Sequence, residues 1–180
     1  MKKVVYTLLL IVLVACGGNN NSEEKKEVTE ASLKADIKQM EDSLFGANST
    51  LNKESAEKMI AMYKDFAGLY PKTKEAPDYL MKAADVATAI NKPSVKEECY
   101  KKIINEYPDY PRMDVVKYLL AFTLDAELNQ RGEAKEWYNK VVAEVKDTNF
   151  VRDAKVRLKS IDSLDYEAFM QMIINQQPLQ

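Results

Sequence analysis

Three stretches of thirteen residues in this chain superimpose without gaps, at offsets of 37 and 38 residues. They read MIAMYKDFAGLYP at 59–71, KEECYKKIINEYP at 96–108 and AKEWYNKVVAEVK at 134–146. Each stretch has a tyrosine at its fifth position and an apolar residue three positions later. Such periods are typical of proteins built from stacked units, because one unit alone cannot bury its apolar face. The chain is therefore predicted to fold as an array of repeats.

Apolar residues recur at helical spacing from Ser32 to the end of the chain. Only five glycines and six prolines occur in 180 residues, so turn signals are too rare for a fold of short strands. Pro71 and Pro108 each follow an apolar block, as expected after a helix end. The sequence therefore predicts an all-α fold with seven helices and an eighth terminal one. The predicted helices are 32–45, 53–69, 77–91, 94–106, 111–128, 131–145, 148–161 and 164–175.

Two helices between the repeated stretches carry small or aliphatic residues at matching positions. They are Ala83, Ala84 and Ala87 in one helix and Leu120, Ala121 and Leu124 in the other, 37 residues later. Small side chains let the two helices of a hairpin approach closely, and the larger ones fill the seam. We therefore expect each repeated stretch to pack against such a partner helix.

This pattern resembles the tetratricopeptide repeat (TPR), a helical hairpin of about 34 residues. The matching positions are the aromatic residue of the second helix, its terminal proline, and small residues in both helices: Tyr63, Pro71, Ala84, Tyr100, Pro108, Ala121, Ala134 and Tyr138. The resemblance covers residues 53–161 and implies a right-handed superhelix of antiparallel helix pairs. The longer repeats with Tyr-Pro ends are similar to those of TPR lipoproteins related to the outer-membrane β-barrel assembly factor.

Three features depart from the TPR pattern. The period is longer than about 34 residues, Lys96 stands where the repeat has alanine, and the Trp-Leu-Gly signature of the first helix is weak. An irregular helical bundle, with equally spaced aromatic residues by coincidence, is the alternative interpretation.

In TPR arrays the first helix of each pair lines the concave surface, so the resemblance implies a groove on two helices of this chain. The residues on that face are Asp78, Met81, Asp85, Thr88, Val115, Tyr118, Phe122 and Asp125. None is a lysine, arginine or asparagine, which argues against a clamp for a peptide carboxylate. The predicted groove would suit an apolar segment that carries basic residues. Alternatively, Met81 and Phe122 belong to the core and the aspartates only keep the helices soluble.

The first sixteen residues, MKKVVYTLLLIVLVAC, are organised like an export signal. Two lysines precede an apolar run at 4–14, which as a helix spans about 16 Å and is too short for the roughly 30 Å hydrocarbon core. The LVAC motif at 13–16 resembles a bacterial lipobox. The resemblance implies removal of residues 1–15 and fatty acylation of the Cys16 thiol and amino group, which together give a stable membrane anchor.

Residues 16–31 are almost all polar and are predicted to form a flexible tether to a helical domain at 32–180. Gly17 follows the acylated cysteine, whereas some Gram-negative bacteria use aspartate there to retain lipoproteins in the inner membrane. This difference favours the outer membrane, with its periplasmic face preferred over the cell surface. A cell-surface adaptor is the alternative.

The chain contains no histidine, which removes the commonest general base and the commonest zinc ligand. Cys99 is the only cysteine after Cys16, and its place in an apolar stripe indicates a buried, unreactive thiol. We therefore expect a protein that is not an enzyme and that needs no cofactor or metal. A hydrolase using only carboxylates is less favoured, since no two acids have a spacing that makes them converge.

Removal of residues 1–15 leaves 24 basic and 28 acidic residues, a net charge of −4. A mildly acidic surface disfavours nucleic acid as a partner. We therefore expect a scaffold that binds another envelope protein or peptide. The segment 164–175 carries Tyr166, Phe169, Met170 and Ile173 at helical spacing. It is predicted to cap the last repeat or, alternatively, to dock a partner.

Overall fold

The computed structural model describes residues 28–45 and 52–176. These residues form seven helices and no strand: α1 (Glu30–Phe45), α2 (Lys53–Leu69), α3 (Ala76–Ala89), α4 (Pro93–Glu106), α5 (Met113–Phe122), α6 (Arg131–Glu144) and α7 (Thr148–Gln176). One π-helical turn, Thr123–Glu127, continues α5 directly. The all-α prediction is confirmed for this part of the chain. Most predicted helix ends lie within two residues of the observed ones.

The C-terminal helix differs from the prediction. α7 is one helix of 29 residues, so the prediction of separate helices at 148–161 and 164–175 is wrong. Asp162 and Ser163, between the two predicted helices, are polar but do not break a helix. Asp162 Oδ1 also pairs with Lys135 Nζ of α6 at 2.5 Å. Since α6 has only 14 residues, the second half of α7 runs on past the beginning of α6.

Each helix packs against its neighbours in the sequence, from α1 against α2 through to α6 against α7, and α5 also contacts α7. The repeated stretches form α2, α4 and α6, and they supply the largest core side chains. Tyr63, Tyr100 and Tyr138 are at most 2% exposed, and the apolar residues three positions later are fully buried. The periodic columns of the sequence therefore correspond to one buried face on three successive helices.

The period lengthens from 37 to 38 residues at one identifiable place. α3 and α5 begin 37 residues apart, at Ala76 and Met113. The asparagines with positive φ that follow them, Asn91 and Asn129, are 38 residues apart. The second segment is thus one residue longer. The π-helical turn takes up that residue, because its N–H groups donate five rather than four residues back.

The departure from the TPR pattern at Lys96 also has a structural explanation. The Lys96 side chain lies in the core with 6% of the residue exposed. Its Nζ is 2.5 Å from Oε1 of Glu127, the last residue of the π-helical turn. A charge is tolerated in a protein interior when it is paired and hydrogen-bonded. The π-helical turn therefore supplies the counter-ion that the unusual lysine requires.

Replacing Ala84 or Ala121 with leucine is expected to lower the free energy of unfolding by about 1–3 kcal/mol. Both alanines have no exposed surface, so the added carbons must displace packed neighbours. Urea unfolding of these variants, beside Ala61→Leu at an exposed position of α2, measures the effect. Unchanged unfolding of Ala84→Leu and Ala121→Leu would contradict the close helix packing.

Candidate functional site

The predicted groove residues on α3 do not share one environment. Asp78, Asp85 and Thr88 are exposed, and Thr88 Oγ1 donates to the carbonyl oxygen of Ala84 at 3.0 Å. Met81, in contrast, is 2% exposed and belongs to the hydrophobic core. α3 packs between α2 and α4, and this packing covers the methionine. The prediction that Met81 lines the groove is therefore wrong.

The predicted aromatic residues on α5 are covered by α7. The Tyr118 ring stacks on Phe150 with centroids 4.7 Å apart, and Tyr118 Oη donates to Asp153 Oδ2 at 2.6 Å. The guanidinium of Arg157 lies 4.5 Å from the centre of the Phe122 ring. Tyr118 and Phe122 therefore hold α7 in place instead of lining an open surface.

The two remaining residues of the predicted groove, Val115 and Asp125, also make contacts within the protein. Val115 is half-buried. Asp125 Oδ2 accepts a hydrogen bond from Tyr138 Oη at 3.3 Å and pairs with Nη1 of Arg157 at 3.4 Å. Among the polar residues of the predicted groove, only Asp85 on α3 has neither a hydrogen bond nor an ion pair within the described part of the chain.

One end of the α3 face opens into a cleft of about 670 Å³ beside α1 and α2. We call it the acidic cleft, and its lining comprises Glu41, Asp42, Phe45, Tyr63, Lys82, Asp85 and Val86. Three of these are carboxylates, and Phe45 is 58% exposed. The cleft thus offers negative charge and apolar surface together. Only Asp85 belonged to the predicted groove, because α1 lies outside the repeated part of the sequence.

Glu41 is hydrogen-bonded to two other side chains of the acidic cleft. Its Oε1 accepts hydrogen bonds from Tyr63 Oη and Lys82 Nζ, both at 2.7 Å. Burial raises the pKa of Glu41, but these two donors outweigh it and hold the pKa below its usual value. Burial and the bond to Glu41 raise the pKa of Tyr63. Lys82 therefore neutralises Glu41, whereas Asp42 and Asp85 have no bonded cation among the described residues.

Asp85 is the least satisfied of the three carboxylates. Within residues 28–45 and 52–176 it has no hydrogen bond and no ion pair. Burial raises its pKa, against the attraction of Arg112 and Lys96. A partly desolvated carboxylate without a bonded partner is stabilised when a cation or a hydrogen-bond donor reaches it. Asp85 is therefore the side chain of the acidic cleft that a bound cation or hydrogen-bond donor would stabilise most.

Asp85→Asn is expected to stabilise the free protein slightly at neutral pH, by less than about 1 kcal/mol because the side chain is exposed. The raised pKa fixes the sign. Ionisation of Asp85 opposes folding above its folded-state pKa, and this cost disappears as the pH falls through that pKa. Thermal melts of wild type and Asp85→Asn, from about pH 7 to about pH 4, should converge at the acidic end. A variant less stable than wild type at neutral pH would contradict this.

Asp78 lies at a different place, in the first turn of α3 and beside the turns that precede α3 and α5. Its Oδ1 accepts a hydrogen bond from Tyr110 Oη at 2.7 Å. Burial and this bond raise the pKa of Tyr110 to about 12. A cleft of about 680 Å³ between these turns is lined by both basic and acidic side chains, so its charge favours no particular ligand. We interpret the Asp78–Tyr110 bond as a link between the beginning of α3 and the turn that precedes α5.

Cys99 is 1% exposed, and burial raises the pKa of its thiol to about 12. The prediction that Cys99 is buried is confirmed, and because the thiolate is the reactive form, this burial disfavours its reaction. In the part of the chain that the structure describes, no three acidic or cysteine side chains are grouped so that they could hold a metal ion. Nor does any helix there have the length and apolar character to cross a membrane. Cys16, the signal at 1–15 and the tether up to residue 27 lie outside the described residues.

No model of a protein family matches this chain, and no curated protein and no solved structure matches it either. The geometry of the described helices and the residues of the sequence therefore carry the functional argument.

Proposed function

We propose that this chain is a membrane-anchored TPR scaffold that binds another envelope protein or peptide, within an outer-membrane assembly complex. The acidic cleft carries the proposal, since Asp42 and Asp85 lie beside the exposed ring of Phe45. Helices that pack in sequence order with a periodic buried face support the TPR arrangement. The lipobox ending at Cys16 supports the anchor.

The ligand that fits the acidic cleft is an apolar segment with at least one arginine or lysine. A cation that reaches Asp85 forms a charge-assisted hydrogen bond with a carboxylate that has none within residues 28–45 and 52–176. Apolar side chains next to that cation would cover Phe45, whose exposed ring stands at the rim. This is the ligand chemistry predicted for the TPR groove, at a site displaced towards α1.

The electrostatics of the acidic cleft favour recognition over catalysis. A general acid or base works best with a pKa near the working pH. Glu41 has its pKa lowered by its two donors, and Tyr63 has its pKa raised by burial. These two groups therefore do not exchange protons readily near neutral pH. Asp85, whose pKa is raised, has no second acid or base bonded to it among the described residues, so the cleft offers no paired acid and base. This supports a scaffold that is not an enzyme.

A photo-crosslinking amino acid at position 45 tests the proposed site in cells. We expect a discrete adduct with one envelope protein, and we expect Asp85→Lys to abolish it because the variant reverses the charge that attracts the ligand. The matched control places the crosslinker at Leu69, which is 59% exposed on α2, against 58% for Phe45. No adduct at position 45, or the same adduct from position 69, would overturn the assignment of the acidic cleft.

The anchor is tested separately with Cys16→Ala. The variant is expected to lose incorporation of a labelled fatty acid and to leave the membrane fraction, because no other thiol near the N-terminus can be acylated. Cys99→Ala is the matched control and should remain acylated. Equal labelling of wild type and Cys16→Ala would overturn the proposal of a lipoprotein.

A further inference from the structure

The last helix pair ends in a groove whose lining repeats that of an internal groove 38 residues earlier. The internal groove, on α4 and α5, includes Ile104, Pro108, Met113 and Lys117. The positions 38 residues later are Val142, Lys146, Val151 and Lys155, and all four line a groove of about 610 Å³ on α6 and α7. We call this second site the terminal groove. The repeat therefore produces the same kind of surface twice.

The internal groove shows which kind of element packs against such a surface, because α6 forms its other wall. Trp137, Lys140 and Glu144 of α6 line it, and Glu144 Oε2 pairs with Lys117 Nζ at 2.6 Å. Trp137 and Glu144 are seven residues apart, so they lie on the same face of α6. An amphipathic helix with a bulky apolar side chain and an acid two turns later therefore closes the internal groove.

The corresponding positions of the terminal groove have no such helix among the described residues. Lys155, which corresponds to Lys117, forms no ion pair there. Val156, which corresponds to Tyr118, is 61% exposed. α7 does not double back over the groove, because it continues as one helix to Gln176. In the part of the chain that the structure describes, the terminal groove is therefore the open end of the stacked helices.

The charges that line the terminal groove indicate what kind of helix would bind there. Its lining contains four cations and no carboxylate, the cations being Lys146, Arg152, Lys155 and Lys159. Positions 152, 155, 156 and 159 fall on one face of α7 by helical spacing. Several lysines elsewhere on the helix surfaces are paired, for example Lys92 with Glu57 and Lys101 with Glu133. The four cations of the terminal groove lie close together and form no ion pair among the described residues, so they favour an acidic ligand.

We propose that the terminal groove binds an acidic amphipathic helix of a partner protein, in the manner in which α6 closes the internal groove. The helix would place a carboxylate on Lys155, as Glu144 does on Lys117, and an apolar side chain over the valines. This inference deepens the proposed scaffold function and rests on it, since it assigns a second partner-binding surface of opposite charge to the acidic cleft.

The shape of the terminal groove favours a helix over an anionic membrane. Val145 is 8% exposed and Val142 and Val151 are half-buried, so they form a floor below the exposed lysines. A flat lipid surface reaches the lysines but not such a floor. A helix, in contrast, inserts apolar side chains between flanking cations, and this buries apolar area as well as pairing charge.

A labelled peptide with the α6 sequence provides the probe. It spans residues 131–147 with Lys135→Glu and Lys140→Glu, and its binding to the full chain is measured by fluorescence anisotropy. We expect binding by wild type and an affinity about tenfold or more weaker for Lys155→Glu with Lys159→Glu. The matched control, Lys38→Glu with Lys53→Glu, changes two exposed lysines on α1 and α2 and should bind like wild type. Circular dichroism verifies that all variants are folded.

A charge swap isolates the single contact that the inference names. The same peptide with Glu144→Lys should bind wild type poorly and regain affinity for Lys155→Glu. Absence of peptide binding, or equal binding by wild type and Lys155→Glu, would overturn the proposal. Two other results would also overturn it. In the first, Lys155→Glu changes the binding of phosphatidylglycerol vesicles but not the binding of the peptide. In the second, sedimentation shows self-association of the protein that Lys155→Glu abolishes. The crosslink at position 45 reports on a different surface, so failure of one proposal is distinguishable from failure of the other.

Discussion

Glu127→Ala is expected to lower the free energy of unfolding by about 3 kcal/mol, because it leaves a buried ammonium without its counter-ion. The Lys96 side chain is 7% exposed, and its Nζ lies 2.5 Å from the Glu127 carboxylate. Breaking a buried ion pair costs about 3–5 kcal/mol. The Glu127 side chain is 26% exposed, so water can approach the vacated place and the lower end of that range applies.

Lys96→Met provides the decisive companion variant, since methionine fills a similar volume without charge. In the Glu127→Ala background it should restore most of the lost stability, and alone it should be nearly neutral or stabilising. Urea unfolding of the four proteins gives a double-mutant cycle whose coupling energy measures the pair. A Glu127→Ala variant as stable as wild type, or one that Lys96→Met fails to rescue, would show that the lysine is not held by this carboxylate.

Truncating a repeat tyrosine is expected to have the second large effect. Tyr138→Ala should cost about 3–5 kcal/mol, because the ring has no exposed surface and its removal leaves a cavity between α6 and its neighbours. Tyr63→Ala and Tyr100→Ala should behave similarly, since those rings are at most 2% exposed. Thermal and urea unfolding measure all three. A loss of less than about 1 kcal/mol in any of them would contradict the close packing of that column.

Phenylalanine at the same positions separates the hydroxyl from the ring. Tyr63→Phe removes a 2.7 Å hydrogen bond to the charged Glu41 and should cost about 1.5–3 kcal/mol. Tyr100→Phe should be nearly neutral, because the Tyr100 hydroxyl has no hydrogen bond among the described residues. The two variants remove the same atom from equivalent positions of the repeat. Equal effects would indicate that the bond to Glu41 does not stabilise the fold.

The sequence predicts those parts of the fold that depend on local pattern. Helix positions, the buried tyrosine columns and the buried alanines follow from periodicity, which is the same whatever the helix packs against. The single helix α7 is not predicted from the sequence, because the polar residues Asp162 and Ser163 suggest a helix boundary. Polarity alone does not end a helix. Its continuity is consistent with a contact to Lys135, which lies far away in the sequence.

The candidate site was predicted less well, because it depends on contacts between helices. The helical spacing of Tyr118 and Phe122 predicts that they line a groove. In the structure, however, they pack against Phe150 and Arg157 of α7. The acidic cleft required α1, which carries no repeat signal. Asp85 alone could be selected from the sequence, as a carboxylate on the predicted concave helix face.

The π-helical turn at 123–127 links two sequence changes. A residue removed from this turn would restore the 37-residue period, because the turn is where the extra residue is accommodated. The same turn carries Glu127, whose carboxylate is the counter-ion of the buried Lys96. The length of the repeat and the charge at position 96 are therefore coupled, since a change in the turn also changes the surroundings of the buried ammonium.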